Sequence, residues 1–320
     1  MTETVDPSTY WDPDLAATVA KADQDPPRPM REVGVEATRR MLEAIVRPRG
    51  PEMASVRDSE IHGPHGAVPV RIYRPMSAPP VDAPALVWYH GGGMIMGSLK
   101  SFDRLARDVA DASGCVLVNV DYRLAPEHRY PAGNDDAYTA LCGTHEKAGD
   151  WGIDPERIGI GGDSAGGGLA AATALRSRDD RGPMIAQQVL FYPGLERRTE
   201  RPSMQEFGDS PFLNVDDIDW MKSLYLGDDP ATDDCYGTPS KASSLVGLPP
   251  AIIAIGYCDP LRDGVEAYGD RLRAAGVSTA QLRYPGLGHG FAMQAPRVHS
   301  ARMAIAEVGA LTAARFRAVP

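Results

Sequence analysis

Five short apolar runs bounded by glycine, proline or aspartate constrain the fold most: residues 85–89, 115–120, 158–161, 188–192 and 251–255. Runs of this length without alternation suit the central strands of a parallel sheet covered on both faces. Residues 68–73 instead alternate apolar and polar, as a half-buried strand does. Helical stretches fall between the runs, at about 102–112, 134–148, 164–177 and 264–275, and residues 281–284 read as a further strand. Strand, helix, strand in succession implies right-handed crossovers and a doubly wound α/β sheet.

Two segments stand apart. Residues 1–49 carry no strand of their own. Asp12 and Pro13 read as N-cap and first position of a helix that includes Leu15 and Val19. After the break Asp25-Pro26-Pro27-Arg28-Pro29, a second helical pattern repeats Val33, Ala37, Met41 and Ile45, widened by Leu42. Residues 196–244 are rich in Asp, Pro and Ser, yet carry Phe207, Phe212, Trp220, Tyr225 and Leu226, too aromatic for a linker. We expect this insertion to pack with the N-terminal helices into a lid, over a catalytic domain of residues 50–320.

The chemistry concentrates in loops that follow strands. Gly162-Asp163-Ser164-Ala165-Gly166 follows an apolar strand and precedes a helix. A nucleophilic serine needs this tight strand-to-helix turn, and glycines flank it because side chains would collide there. His90-Gly91-Gly92-Gly93 follows the strand at 85–89, and its consecutive glycines can aim backbone N–H groups at a developing oxyanion. No Gly-Lys-Ser/Thr follows, which removes the phosphate-loop reading. Gly159 and Gly161 begin a dinucleotide-like pattern, but Ser164 occupies the place of its third glycine.

The serine needs a base and an orienting carboxylate. His62, His65, His90, His128 and His145 precede it, so the order Ser…Asp…His leaves His289 and His299. His289 lies in a glycine-rich loop after a strand, whereas His299 falls in a helical stretch and reads as a surface residue. Asp259 is the first carboxylate to leave the strand at 251–255. Asp263 is the alternative, better suited to the first turn of the next helix.

These blocks resemble the hormone-sensitive-lipase-like esterases, the branch with a Gly-Asp-Ser-Ala-Gly-Gly nucleophile motif. The resemblance spans residues 90–291 and includes Asp121-Tyr122-Arg123-Leu124-Ala125-Pro126-Glu127, Asp259-Pro260-Leu261-Arg262-Asp263 and His289-Gly290-Phe291. It implies an α/β-hydrolase fold with a mostly parallel eight-stranded sheet and a helical cap. It also implies an esterase in which Ser164 is nucleophile, His289 base and Asp259 acid. The oxyanion hole would use the N–H groups of Gly92, Gly93 and Ala165, while His90, Gly91, Asp163 and Glu127 support the loops. Where the family often has an aromatic residue after the glycines, this chain has Met94, then Ile95 and Met96; Met94 and Ile95 are candidates for a pocket wall, which the unbranched methionine would make pliable. A homodimer through residues 279–284 and 297–315 is a further implication.

No metal or organic cofactor is expected: Cys115, Cys142, Cys235 and Cys258 form no metal-ligand spacing, and they suit a reducing compartment. The net charge of −10 and pI of about 5.2 disfavour nucleic acid and anionic lipid as partners. Residues 1–10 show no basic or apolar leader, and no apolar run reaches membrane-spanning length, so a cytoplasmic protein without stable membrane association is expected. The competing readings are a small-molecule receptor on the same fold and a lactonase or amidase using the same triad.

Overall fold

The computed structural model describes residues 10–196, 200–227 and 234–318. Parts of the expected N-terminal cap (1–9) and of the insertion (197–199 and 228–233) lie outside the described residues. The sheet contains β1 (Met53–Gly63), β2 (Gly66–Pro75), β3 (Ala83–Tyr89), β4 (Val116–Val120), β5 (Ile153–Asp163), β6 (Gln188–Phe191), β7 (Ala251–Cys258) and β8 (Thr279–Gly288). Their spatial order is β1-β2-β4-β3-β5-β6-β7-β8. From β4 through β8 every pairing is parallel, while β1 and β2 join antiparallel at one side.

The doubly wound sheet expected from the apolar runs is therefore present. What the pattern did not mark is β1. Of its residues only Ile61 is buried, because β1 is an edge strand with little core face to encode. The helices are α1 (Pro13–Gln24), α2 (Met30–Val33), α3 (Val35–Ala44), α4 (Asp103–Ser113), α5 (Ala132–Glu146), α6 (Ala165–Asp179), α7 (Pro202–Glu206), α8 (Val215–Leu226), α9 (Arg262–Ala274), α10 (Phe291–Gln294) and α11 (His299–Arg317). Helices α4 and α11 pack together on one face, and α5 and α6 pack together on the other. Side chains of β3 show both faces: Trp88 meets Phe191 across the sheet, while Tyr89 donates through its hydroxyl to Ala137 O in α5 at 2.9 Å.

The N-terminal helices depart from expectation in one respect. Asp12 caps α1 as anticipated, accepting from Asp14 N, and Leu15 and Val19 are buried. In α3, however, Met41 is exposed, as is Ile45 at its C-cap, and Thr38 is the buried position. A repeat of four drifts by about 40° per step on an α-helix, so the apparent stripe winds off one face. Polar contacts dock α3 instead. Arg39 reaches Ile95 O, Ala125 O and Glu127, and Ser98 Oγ donates to Glu43 at 2.5 Å. The insertion meets this region where Met30 N donates to Asp217 Oδ1 of α8 at 2.8 Å.

Candidate active site

Parallel strands end their C-termini along one rim, where α/β folds build their sites. Here β5 delivers Ser164, β7 Asp259 and β8 His289. Ser164 adopts φ 53° and ψ −119°, a region costly for any residue with a Cβ. Its backbone is held on both sides: Ser164 N donates to Phe191 O at 2.9 Å, and Ser164 O accepts from Gly168 N at 3.1 Å and Gly194 N at 2.8 Å. The flanking glycines are sterically required, since a Cβ on Gly162 or Gly166 would run into Tyr89 O.

The side chains form an unbroken relay. Ser164 Oγ lies 2.7 Å from His289 Nε2, and His289 Nδ1 lies 2.9 Å from Asp259 Oδ2. Asp259 is fully buried, and its other oxygen accepts from Leu261 N at 2.8 Å. A carboxylate accepts, so Nδ1 carries the proton and the Nε2 lone pair faces the serine hydroxyl. Asp263 and His299 are elsewhere. Asp263 sits in the first turn of α9 and accepts from Ser203 N at 2.8 Å, and exposed His299 opens α11.

The loop after β3 is braced from below. His90 is buried between the rings of Phe102 and Tyr122, at centroid distances of 5.0 and 4.5 Å. Burial pulls its imidazole down to about 4, so it is neutral at pH 7, and Nδ1–H donates to Gly91 O at 2.7 Å. Gly91 N donates to Asp163 Oδ1 at 3.1 Å. Further along, Arg39 ties Ile95 O, at 2.6 Å, to Glu127, whose carboxyl the guanidinium holds down at about 2.

Gly93, Met94, Ser164 and Ala165 line one cavity together with Leu213, Ile218 and Met221. Among the described residues, the N–H groups of Gly92, Gly93 and Ala165 donate no hydrogen bond to the protein. Met94 thus lies where a pocket residue was expected. Ile95 does not: it is fully buried behind the loop, and its contribution is the carbonyl that anchors Arg39. Sequence reasoning passed over Tyr192, which ends the β6 run and stands edge-on to His289 at 5.0 Å. It also passed over Asn134, a cavity residue that accepts from Tyr225 Oη at 2.5 Å. The C-terminal end of a parallel strand was the available signal for Tyr192. Asn134 gave none, because a single polar residue within a helical pattern looks like a solvated position.

Asp163 carries a pH signature. Burial pushes its carboxyl up to about 7, well above the ordinary aspartate value of 3.8. Between those values the folded protein binds a proton that the unfolded chain has released, so stability falls as pH rises through this window. Asp163→Asn keeps an oxygen for Gly91 N–H and does not titrate. Urea melts at pH 5 and pH 8 are expected to show wild type losing stability relative to Asp163→Asn, on the order of a few kcal/mol.

Known proteins share this arrangement. A family model described as alpha/beta hydrolase fold matches residues 86–293. The chain is 41% identical over 261 residues to the esterase LipI of Mycobacterium tuberculosis, covering 81% of each chain. It is 34% identical to the ethyl acetate hydrolase of Pseudomonas putida, covering 82% of this chain and 85% of that one. Among solved structures, the hyperthermophilic esterase of the archaeon Pyrobaculum calidifontis superimposes with a TM-score of 0.89 at 34% identity, over 97% of this chain and 99% of that one. The chain belongs to the α/β-hydrolase fold family, in its hormone-sensitive-lipase-like branch.

Proposed function

We propose that this chain is a serine carboxylesterase that hydrolyses short- to medium-chain esters through an acyl-enzyme. The carrying observation is the relay from Ser164 Oγ through His289 to buried Asp259, at 2.7 and 2.9 Å. Ser164 Oγ attacks the ester carbonyl carbon as His289 Nε2 takes its proton. The carbonyl oxygen becomes an oxyanion, met by the N–H groups of Gly92, Gly93 and Ala165. The C–O bond to the alcohol then breaks, and His289 returns the proton to the leaving oxygen. Water, deprotonated by the same imidazole, attacks the acyl-serine and releases the acid. Asp259 keeps the imidazole in the working tautomer and stabilises it when charged.

In this reading the N-terminal helices α1, α2 and α3 and the 196–244 insertion act as a cap, supported by Leu213, Ile218 and Met221 lining the same cavity as Ser164. Asn134, Tyr225 and Tyr236 also line the cavity, and their polar groups support a short acyl chain. A relative named for ethyl acetate supports small esters. The free cysteines support a cytoplasmic location. The edge position of β8 supports pairing with a second copy. No described helix is long and apolar enough to cross a membrane.

The test is a profile over p-nitrophenyl esters from acetate to palmitate, with fluorophosphonate labelling beside it. Turnover is expected to peak at six acyl carbons or fewer, with palmitate at least about tenfold slower and the label on Ser164. A protein that neither turns over any ester nor takes the label is a receptor on this fold.

A further inference from the structure

We propose that Trp11 is a positioning residue, which holds the end of β8 so that His289 stays in line with Asp259 and Ser164. The proposal rests on the catalytic reading of these three residues.

The last paired residues of β7 and β8 are Cys258 and Gly288, reached after a register shift. Asp259 and His289 are their immediate successors. The alignment of acid and base is therefore set by this one pairing. Among the described residues strand β8 is outermost, with no further strand on its other side. His289 is also held by a pliable backbone, Gly286-Leu287-Gly288-His289-Gly290, in which Gly286 and Gly290 have φ of 73° and 72°. Glycine at these positions leaves the segment wide conformational freedom.

The chain segment before α1 removes that freedom. Asp12 N donates to Gly286 O at 3.0 Å, and Cys258 Sγ donates to Tyr10 O at 3.6 Å. Between these two clasps the indole of Trp11 lies against Gly288, so closely that a Cβ there would stand 2.7 Å from Trp11 Cζ3. The other flanks of the indole meet Phe207 and Phe212 of the insertion, at ring distances of 6.2 and 5.4 Å. The segment is anchored downstream where Asp14 Oδ2 accepts from His299 N at 2.9 Å. Trp11 is not among the residues lining the Ser164 cavity, so its action passes through Gly288.

Displacement of a catalytic group by about 1 Å can cost about 100-fold in rate. Trp11→Ala is therefore expected to lower kcat by about 10- to 100-fold, equally for phenyl acetate and ethyl acetate, with KM moving less than about threefold. Trp11→Phe refills the space over Gly288 and is expected to recover kcat to within about threefold of wild type. The His289 Nδ1 proton is expected to give a downfield NMR signal in wild type, to broaden or vanish in Trp11→Ala and to return in Trp11→Phe. Each variant is assayed where circular dichroism shows it folded, and Trp11→Leu carries the same test if the alanine variant does not fold. A folded Trp11→Ala with wild-type kcat overturns the proposal. So does a loss confined to the phenyl ester or to KM, which would make the indole a substrate contact. A wild-type protein that takes no fluorophosphonate at Ser164 instead fails the catalytic reading itself, before any Trp11 variant is compared.

Discussion

Ser164→Ala is expected to lower kcat on a p-nitrophenyl ester by about 10⁶-fold while leaving the fold and the melting temperature close to wild type. In the proposed mechanism the hydroxyl is the atom that bonds to the substrate carbon, and alanine offers no replacement for it. His289→Ala should cost nearly as much, because a hydroxyl without its base at 2.7 Å is a poor nucleophile at neutral pH. The double variant should be no slower than either single one, since the groups act as a unit. Fold retention follows from the backbone: φ of 53° at residue 164 is imposed by the contacts to Phe191, Gly168 and Gly194, all made through main-chain atoms that alanine keeps. Residual hydrolysis in Ser164→Ala should still exceed the uncatalysed rate, through binding and the oxyanion donors alone. Stopped assays at high enzyme concentration measure it. A Ser164→Ala enzyme within tenfold of wild type would remove the nucleophile assignment.

How much of this was readable in the sequence follows from how many constraints each residue serves. The central strands were legible because both faces of a parallel strand are buried, which leaves an apolar run no other element explains. Strand β1 was not, because only Ile61 of it enters the core. Ser164 and His289 were legible because they sit in glycine-rich loops at strand ends and appear in a fixed chain order, whereas Asp259 was only the first of two carboxylates after its strand. The supports of the relay were not legible. Arg39 acts through carbonyls of Ile95 and Ala125, and any arginine on an amphipathic helix looks like a solvated charge. Trp11 reaches Gly288 across most of the chain length, and no local pattern encodes such a distance. The helical repeat through Met41 and Ile45 misled because four-residue spacing looks like one face over two turns, then drifts. Ile95 misled because it directly follows Met94, yet the turn sends Met94 to the cavity and Ile95 into the core.

Asp259→Asn and Asp263→Asn separate the acid from its neighbour. Both aspartates follow β7 within five residues, so position in the chain alone left them in competition. In the structure Asp259 is fully buried and 2.9 Å from His289 Nδ1. Asparagine there preserves shape but can present its amide N–H to Nδ1, which favours the tautomer whose proton lies on Nε2, facing Ser164. The base is then blocked, and kcat should fall by about 10⁴-fold. Asp263 instead accepts from Ser203 N at 2.8 Å and from Arg262 Nε at 3.0 Å, linking α7 to the start of α9. Asparagine keeps one acceptor oxygen for that link and loses a favourable charge at the helix N-terminus, worth about 0.3–1 kcal/mol. Asp263→Asn should therefore melt slightly lower and keep kcat within about twofold of wild type. Steady-state kinetics on one ester, run beside thermal melts, reads both effects. Equal damage to kcat from the two substitutions would mean that His289 takes its orientation from something other than Asp259.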